Sequence, residues 1–149
     1  MLRFATKNDI KQLVNLENEM FNDSIYFKLS EKEFIKMLNK KSTLLFVYLE
    51  NEIIVGYSLG IIINKENIWF NSLAVKKEWQ NTSIAKKLFN SIEHYAEEKY
   101  FRTIILEIRE DNKALLRRYK GFKYCVWKVI KNYYPDNCSA IRMIKKYKE

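Results

Sequence analysis

Histidine and proline each occur once in this 149-residue chain, cysteine twice and glycine three times. The lone His94 leaves no basis for a zinc site or a Ser-His pair, and Glu93, Glu97 and Glu98 around it predict a solvated, inert position. Cys125 and Cys138 have neither metal-ligand spacing nor the density of a disulfide scaffold, so no metal is expected. No run approaches eighteen apolar residues, which argues against a membrane span. The start, Met1-Leu2-Arg3-Phe4-Ala5-Thr6-Lys7, lacks the apolar core and cleavage site of a signal peptide, so a cytoplasmic location is expected. With so little glycine and proline, boundaries have to be read from polar clusters and changes of hydrophobic period.

Apolar residues make up 48% of the chain and aromatics 15%. At this length one domain, residues 1–149, buries roughly two-thirds of its unfolded surface. The formal charge is +9, from 27 Lys and Arg against 18 Asp and Glu. Such a surface attracts nucleic acid, membranes or smaller polyanions such as phosphorylated cofactors. The lysines are scattered, with some density at Lys145, Lys146 and Lys148, a pattern of ordinary surface lysine rather than a nucleic-acid stripe.

Leu2 to Ala5 reads as a short strand, and Asp9 as the cap of a helix with Ile10, Leu13, Val14, Met20 and Phe21 on one side. Ser30 with Glu33 is a capping box opening a second helix. Thr43–Glu50 and Ile53–Ile63 form a hairpin around Glu50-Asn51-Glu52, with Gly56 marking a bulge or a close backbone approach. A third strand, Ile68–Val75, leads into a helix reaching about Tyr100; Thr103–Arg109 is the next strand. A short helix covers Lys113–Tyr119 and ends at Gly121, and strands Phe122–Lys131 and Ala140–Tyr147 close the chain. The order β, α, α, three β, α, β, α, β, β defines an α/β fold with a mixed sheet and about four helices.

The stretch from Ser72 to Phe89 carries the strongest local signal. An apolar strand passes through a polar turn into a helix with Ile84, Leu88, Ile92, Tyr95 and Ala96 at helical spacing. Free N–H groups and the macrodipole favour an anion at such a start, and Lys86 and Lys87 in the first turn are disfavoured without one. An ordinary strand-to-helix connection with a solvated basic face is the alternative.

Several further residues stand out. Glu107 shares a strand face with Ile105 and Arg109, so it is either a buried partner of Arg109 or a general base with a carboxyl raised by partial burial. Tyr119 is a core tyrosine or a proton donor to a leaving group, and Asn112 a helix cap or a ligand contact. Tyr26 and Phe27 in one connection, with Tyr133 and Tyr134 in another, make either a slot for an extended peptide or small amine or staples holding the loops down.

Together these segments resemble the GNAT superfamily of acetyl-CoA-dependent N-acetyltransferases over essentially the whole chain, with the mixed, mostly antiparallel sheet of that fold. Leu73-Ala74-Val75 through Ala85, and Leu106-Glu107-Ile108-Arg109 with Asn112, carry the resemblance. Lys131-Asn132-Tyr133-Tyr134 and Ala140-Ile141-Arg142-Met143 narrow it toward the protein N-terminal branch typified by ribosomal-protein-alanine N-acetyltransferases. The resemblance implies that Leu73, Ala74 and Val75 line the pantetheine arm through backbone groups. It implies that Gln80, Asn81, Thr82, Ser83, Ile84, Ala85 and Lys86 wrap the pyrophosphate and that Asn112 touches the cofactor. Glu107 would be the base, Tyr119 the acid, and Tyr26, Phe27, Tyr133 and Tyr134 would meet the acceptor, a protein N-terminus.

Three departures accompany it. Ser83 stands where the first glycine of the pyrophosphate pattern is expected, and Ser139 where an acidic residue usually precedes Ala140. Asn112 to Gly121 is about two residues short, so counting from one end gives Tyr119 as the acid and from the other Arg117. Transfer to a lysine or small amine, or a non-catalytic module binding CoA or nucleic acid, are the competing readings.

Overall fold

A computed structural model describes residues 1–147; Lys148 of the C-terminal basic cluster lies outside the described residues. The elements are β1 (Leu2–Phe4), α1 (Ile10–Met20), α2 (Glu31–Leu38), β2 (Thr43–Glu50), β3 (Ile53–Ile62) and β4 (Asn67–Val75). They continue with α3 (Ile84–Glu98), β5 (Thr103–Arg109), α4 (Lys113–Gly121), β6 (Cys125–Ile130) and β7 (Ala140–Lys146). This is the expected order, with 3-10 turns added at Lys7–Asp9 and Lys77–Trp79. The seven strands form one sheet, β1-β2-β3-β4-β5-β7-β6, antiparallel except for the parallel pair β4–β5.

Helices α3 and α4 cover one face of the sheet. Phe70, Ile104, Leu106 and Met143 pack there against Phe89, Ile92 and Tyr119. On β3 the residues facing α3 are Gly56, Ser58 and Gly60, alternating with Tyr57 and Leu59. A Cβ at Gly56 would meet Leu88 Cδ1 at 2.8 Å and the Ala74 carbonyl at 2.9 Å, so the helix approaches the strand as close as glycine permits. Gly56 also borders a bulge: Tyr48 pairs with Gly56 and Leu49 with Ile54, leaving Val55 as the extra residue. Both expectations for this glycine hold.

Helices α1 and α2 cover the opposite face over β1 to β4, with Leu13, Leu16, Phe34, Leu45, Val47, Tyr57 and Leu59 in the core. The capping box of α2 forms as expected: the Glu33 N–H donates to Ser30 Oγ at 3.2 Å, and Glu33 Oε1 accepts the Ser30 N–H at 3.1 Å. Asp9 does not cap α1. Its carboxylate turns back to accept the Thr6 N–H at 2.7 Å and pairs with Arg3 at 2.8 Å, because a buried carboxylate needs a cation more than the helix needs a cap.

Two other boundaries shift. Gly121 is the last residue of α4 with ordinary φ, and the left-handed residue is Lys123 at φ 74°. The N–H groups of Phe122 and Tyr124 close onto Arg118 and Tyr119, so β6 starts at Cys125 rather than Phe122. Glu93 is not solvated: it accepts hydrogen bonds from Lys145 at 2.9 Å and Tyr124 at 3.1 Å, fastening α3 to β7, while His94 beside it is exposed.

Candidate active site

Strands β4 and β5 part company halfway along. They pair only from Asn67–Thr103 to Phe70–Leu106, and Asn71 is the extra residue of a bulge just beyond. The Lys76 N–H donates to the Val55 carbonyl at 2.8 Å, and bonded pairs alternate along an antiparallel ladder. Ser72 and Ala74 therefore bond to β3, while the peptide groups of Leu73 and Val75 point into the gap. On the other bank the Glu110 N–H donates to the Ser139 carbonyl at 2.9 Å, so Leu106 and Ile108 bond to β7 and the peptide groups of Glu107 and Arg109 face the gap. The result is a cleft between two strands, edged by backbone polar groups that lack a neighbouring strand.

The turn leaving β4 is held from inside. Gln80 Nε2 donates to the Val75 carbonyl at 3.0 Å, and Thr82 Oγ1 donates to the Trp79 carbonyl at 2.5 Å while accepting the Ile84 N–H at 3.3 Å. Asn81 takes the left-handed conformation at φ 62°, one that asparagine tolerates. Ser83, in the place expected for glycine, has φ −76° and ψ −3°, helical backbone that costs serine nothing. The N–H groups of Asn81, Thr82, Ser83, Ala85 and Lys86 have no acceptor among the described residues. Lys87 lies 5.6 Å over the Tyr48 ring, and Lys86 extends from the same turn.

Glu107 sits at the cleft on the α1–α2 face. Oε1 accepts Trp69 Nε1 at 2.8 Å and, more weakly, the Tyr133 hydroxyl at 3.5 Å; Oε2 accepts Arg142 Nε at 2.8 Å. The side chain is 7% exposed. The pairing with Arg109 weighed from the sequence does not form. Arg109 belongs to a different assembly: it pairs with Asp136 at 2.7 Å and Asp111 at 3.1 Å and donates to the Ile25 carbonyl at 2.7 Å. Its guanidinium lies 5.4 Å over the Tyr26 ring and 5.0 Å over Tyr134. These bonds hold the two carboxyls below their ordinary range and raise the guanidinium above its own.

One buried cation thus joins the α1–α2 connection to the β6–β7 connection. Phe27 completes the contact, its ring 5.8 Å from Tyr133 and 6.3 Å from Tyr134. Tyr26, Phe27, Tyr133 and Tyr134 are brought together as edge-to-face and stacked rings, the staple arrangement, and Phe27 remains 63% exposed. Burial raises the Tyr26 and Tyr134 hydroxyls; for Tyr133 burial comes first and the Glu107 charge second.

Tyr119 lies on the other face. It packs among Phe89, Phe122 and Tyr124, and burial pushes its hydroxyl up to about 12. No protein group bonds that hydroxyl among the described residues, and it keeps accessible surface. Arg117, two residues back, is exposed on the outer side of α4. Asn112 caps α4, its Oδ1 accepting the Leu115 N–H at 3.1 Å, with its amide nitrogen uncommitted.

Sequence reasoning missed Glu17 of α1. It is 1% exposed, accepting the Tyr57 hydroxyl at 2.5 Å and the Leu29 N–H at 2.8 Å. Its signal was a carboxylate four residues after Leu13 on the apolar side of the helix.

The sheet is thus splayed between two parallel strands, beside a helix that begins with free N–H groups. The chain belongs to the acetyltransferase (GNAT) family, whose model matches residues 10–124, and is an N-acetyltransferase using acetyl-CoA. It is 29% identical over 134 residues, 87% of this chain and 83% of the other, to a Bacillus subtilis (strain 168) protein provisionally named a [ribosomal protein bS18]-alanine N-acetyltransferase. The fold is similar to that of the Escherichia coli ribosomal-protein-S18-alanine N-acetyltransferase, with a TM-score of 0.89 at 19% identity, over 100% of this chain and 94% of that one. It is also similar to a chain of the NatC complex solved with Gag peptide and CoA, at TM-score 0.84 and 19% identity, covering 99% and 98%. Among the described residues no helix is long and apolar enough to cross a membrane.

Proposed function

We propose that this enzyme acetylates the α-amine of a protein N-terminus in the cytoplasm, with residues 1–149 acting as one transferase domain. The observation that carries the reading is the cleft: the Leu73 peptide groups and the Val75 N–H on one bank, the Glu107 carboxylate on the other. The residues suit acetyl-CoA. The amide-bearing arm of that molecule needs backbone partners in an extended array, which the Leu73 peptide groups and the Val75 N–H supply, with Ala74 between them bonded to β3. Its pyrophosphate needs convergent N–H donors, which the Asn81–Lys86 turn offers with Gln80 bracing the loop and Ile84 anchoring the helix start. Asn112 adds an amide N–H2 at the head of α4.

Acetyl-CoA supplies an acyl group activated as a thioester. The Val75 N–H is aimed into the cleft and stabilises negative charge developing on the acyl oxygen. Glu107 takes the proton of the incoming amine through a water, its orientation fixed by Trp69 and Arg142. Tyr119, protonated throughout the physiological range, donates toward the departing sulfur from the α3–α4 face. Tyr26, Phe27, Tyr133 and Tyr134 border the acceptor's approach, apolar surfaces suited to the first side chains of an extended peptide.

Acceptor chemistry favours an α-amine. With a pKa near 8 it is roughly a tenth neutral at pH 7, against far below one per cent for lysine near 10.4. A carboxylate base works best on an acceptor already partly deprotonated. The name of the Bacillus subtilis relative supports the same acceptor. The test is a panel of peptides with different first residues, run beside N-terminally blocked lysine peptides and polyamines. Transfer to free N-termini is expected; preference for lysine or a polyamine overturns the reading.

A further inference from the structure

Glu17 is an expensive residue to bury. No lysine or arginine nitrogen lies within ion-pair distance of it among the described residues, and a leucine at this point on α1 would pack without that penalty. What the carboxylate does is span two parts of the molecule. Oε2 accepts the N–H of Leu29, the last residue before the Ser30 cap and two beyond Phe27, so it fixes the end of the aromatic α1–α2 connection. Oε1 accepts the hydroxyl of Tyr57, which is fully buried on β3, and that hydroxyl lies 2.8 Å from Ser72 Oγ. Ser72 directly follows the Asn71 bulge of β4 and precedes Leu73, the first residue with its peptide groups in the cleft.

The same connection is held at its other end by Arg109, which donates to the Ile25 carbonyl from β5. Tyr26, Phe27 and Lys28 are therefore bracketed by two buried side chains, Arg109 of β5 at one end and, at the other, Glu17 of α1, which reaches β4 through Tyr57 and Ser72.

We propose that Glu17 is a positioning residue for acetyl transfer, tying the aromatic acceptor connection, through the Leu29 N–H, to the cofactor strand, through Tyr57 and Ser72. Its role is to hold the spacing of the two banks when both substrates are bound. The inference rests on the acceptor and cofactor sides assigned under the proposed function. Because reacting atoms must meet within a narrow distance, loss of the tie lowers turnover more than either affinity.

The test uses Tyr57→Phe, which keeps the ring packed against Phe34 and removes only the linking hydroxyl, with Ser72→Ala and Glu17→Gln beside it. For Tyr57→Phe, kcat per CoA-binding site falls about tenfold, while the KM values for acetyl-CoA and acceptor change less than about threefold. Ser72→Ala gives a similar loss, and the double variant loses no more than either single one. In the NMR spectrum, CoA added to the parent shifts the Leu29 amide resonance, and Tyr57→Phe abolishes that shift although CoA still binds. Parent-level kcat per CoA-binding site, or a Leu29 shift that survives in Tyr57→Phe or is absent from the parent, overturns the proposal. These readouts are taken on whichever amine the parent prefers, so a preference for lysine or a polyamine sinks the N-terminal reading without deciding Glu17.

Discussion

The two faces of the sheet are built on different principles. Against α3 and α4 the contacts are mostly apolar and tight, the Glu93–Lys145 pair apart, with Gly56, Ser58 and Gly60 letting the helix down onto β3 and Phe70, Leu106 and Met143 filling the rest. Against α1, α2 and the aromatic connections the sheet buries charge: Glu17 with Tyr57, Arg109 with Asp136, Glu107 with Arg142. Close packing fixes one geometry because density leaves no slack. Buried polar groups fix geometry by direction, since each unmet partner is costly. Under the proposed function, the first device would hold the helix whose start meets the anion, and the second would aim the groups that meet the amine.

The largest effect expected of this contrast lies on the packed face. Gly56→Ala forces a Cβ against the Ala74 carbonyl, which cannot swing aside, and costs about 3 kcal/mol in urea titration with weakened CoA binding. Gly60→Ala meets side chains alone, Ile92 Cδ1 at 3.1 Å and the Cγ2 methyls of Ile68 and Ile92 at 3.4 Å, costs about 1 kcal/mol and leaves CoA affinity unchanged. Equal costs at the two glycines would mean that the strand, not the helix, yields.

Tyr119→Phe separates chemistry from packing. Its hydroxyl bonds no protein group among the described residues, so melting should change little, while kcat falls about tenfold. With the hydroxyl raised to about 12, the parent rate should show no decline from this group between pH 8 and pH 10. A loss of stability equal to the loss of rate would return Tyr119 to the core.

The polar face predicts a pH signature. Burial raises the Glu17 carboxyl, so the folded chain holds that proton above the unfolded value of about 4.3. Its contribution is full below that value and is lost as pH rises through the raised one. Glu17→Gln removes this slope in denaturant titrations run at a series of pH values. Asp9, lowered chiefly by its bond with Arg3, works in the other sense: its stabilisation is present above about 3.9 and lost as pH falls through the lowered value. The smallest effect is Phe27→Ala, which leaves stability within about 0.5 kcal/mol and raises the acceptor KM a few-fold without altering that for acetyl-CoA.

Much of this was legible in the sequence because it is local. Apolar runs between polar turns placed β2 through β5 nearly to the residue, the capping box gave the start of α2, and Gly56 announced the close approach. Glu107 was conspicuous for the same reason, as a carboxylate within an apolar strand. Its partner was not, since Arg142 comes from β7 through a register that only the folded sheet defines. Arg109, one of the two alternatives weighed for it, instead reaches loops at Ile25 and Asp136, 84 and 27 residues away. Glu17 hid in an amphipathic pattern that tolerates one polar residue, and Asp9 imitated a cap because pairing with Arg3 leaves no trace in local spacing. The ambiguity between Tyr119 and Arg117 is a matter of helix phase, and in the structure Tyr119 is the one facing the sheet.

The most direct measurement of the central claim is a single-turnover transfer at pH 7 from acetyl-CoA to a free N-terminal peptide, comparing the parent with Glu107→Gln at matched CoA occupancy. The account predicts a rate at least about tenfold lower in the variant, with the deficit narrowing as pH rises and the amine deprotonates unaided. A rate near that of the parent across the pH range would remove Glu107 as the base and leave the cleft as a site of positioning alone.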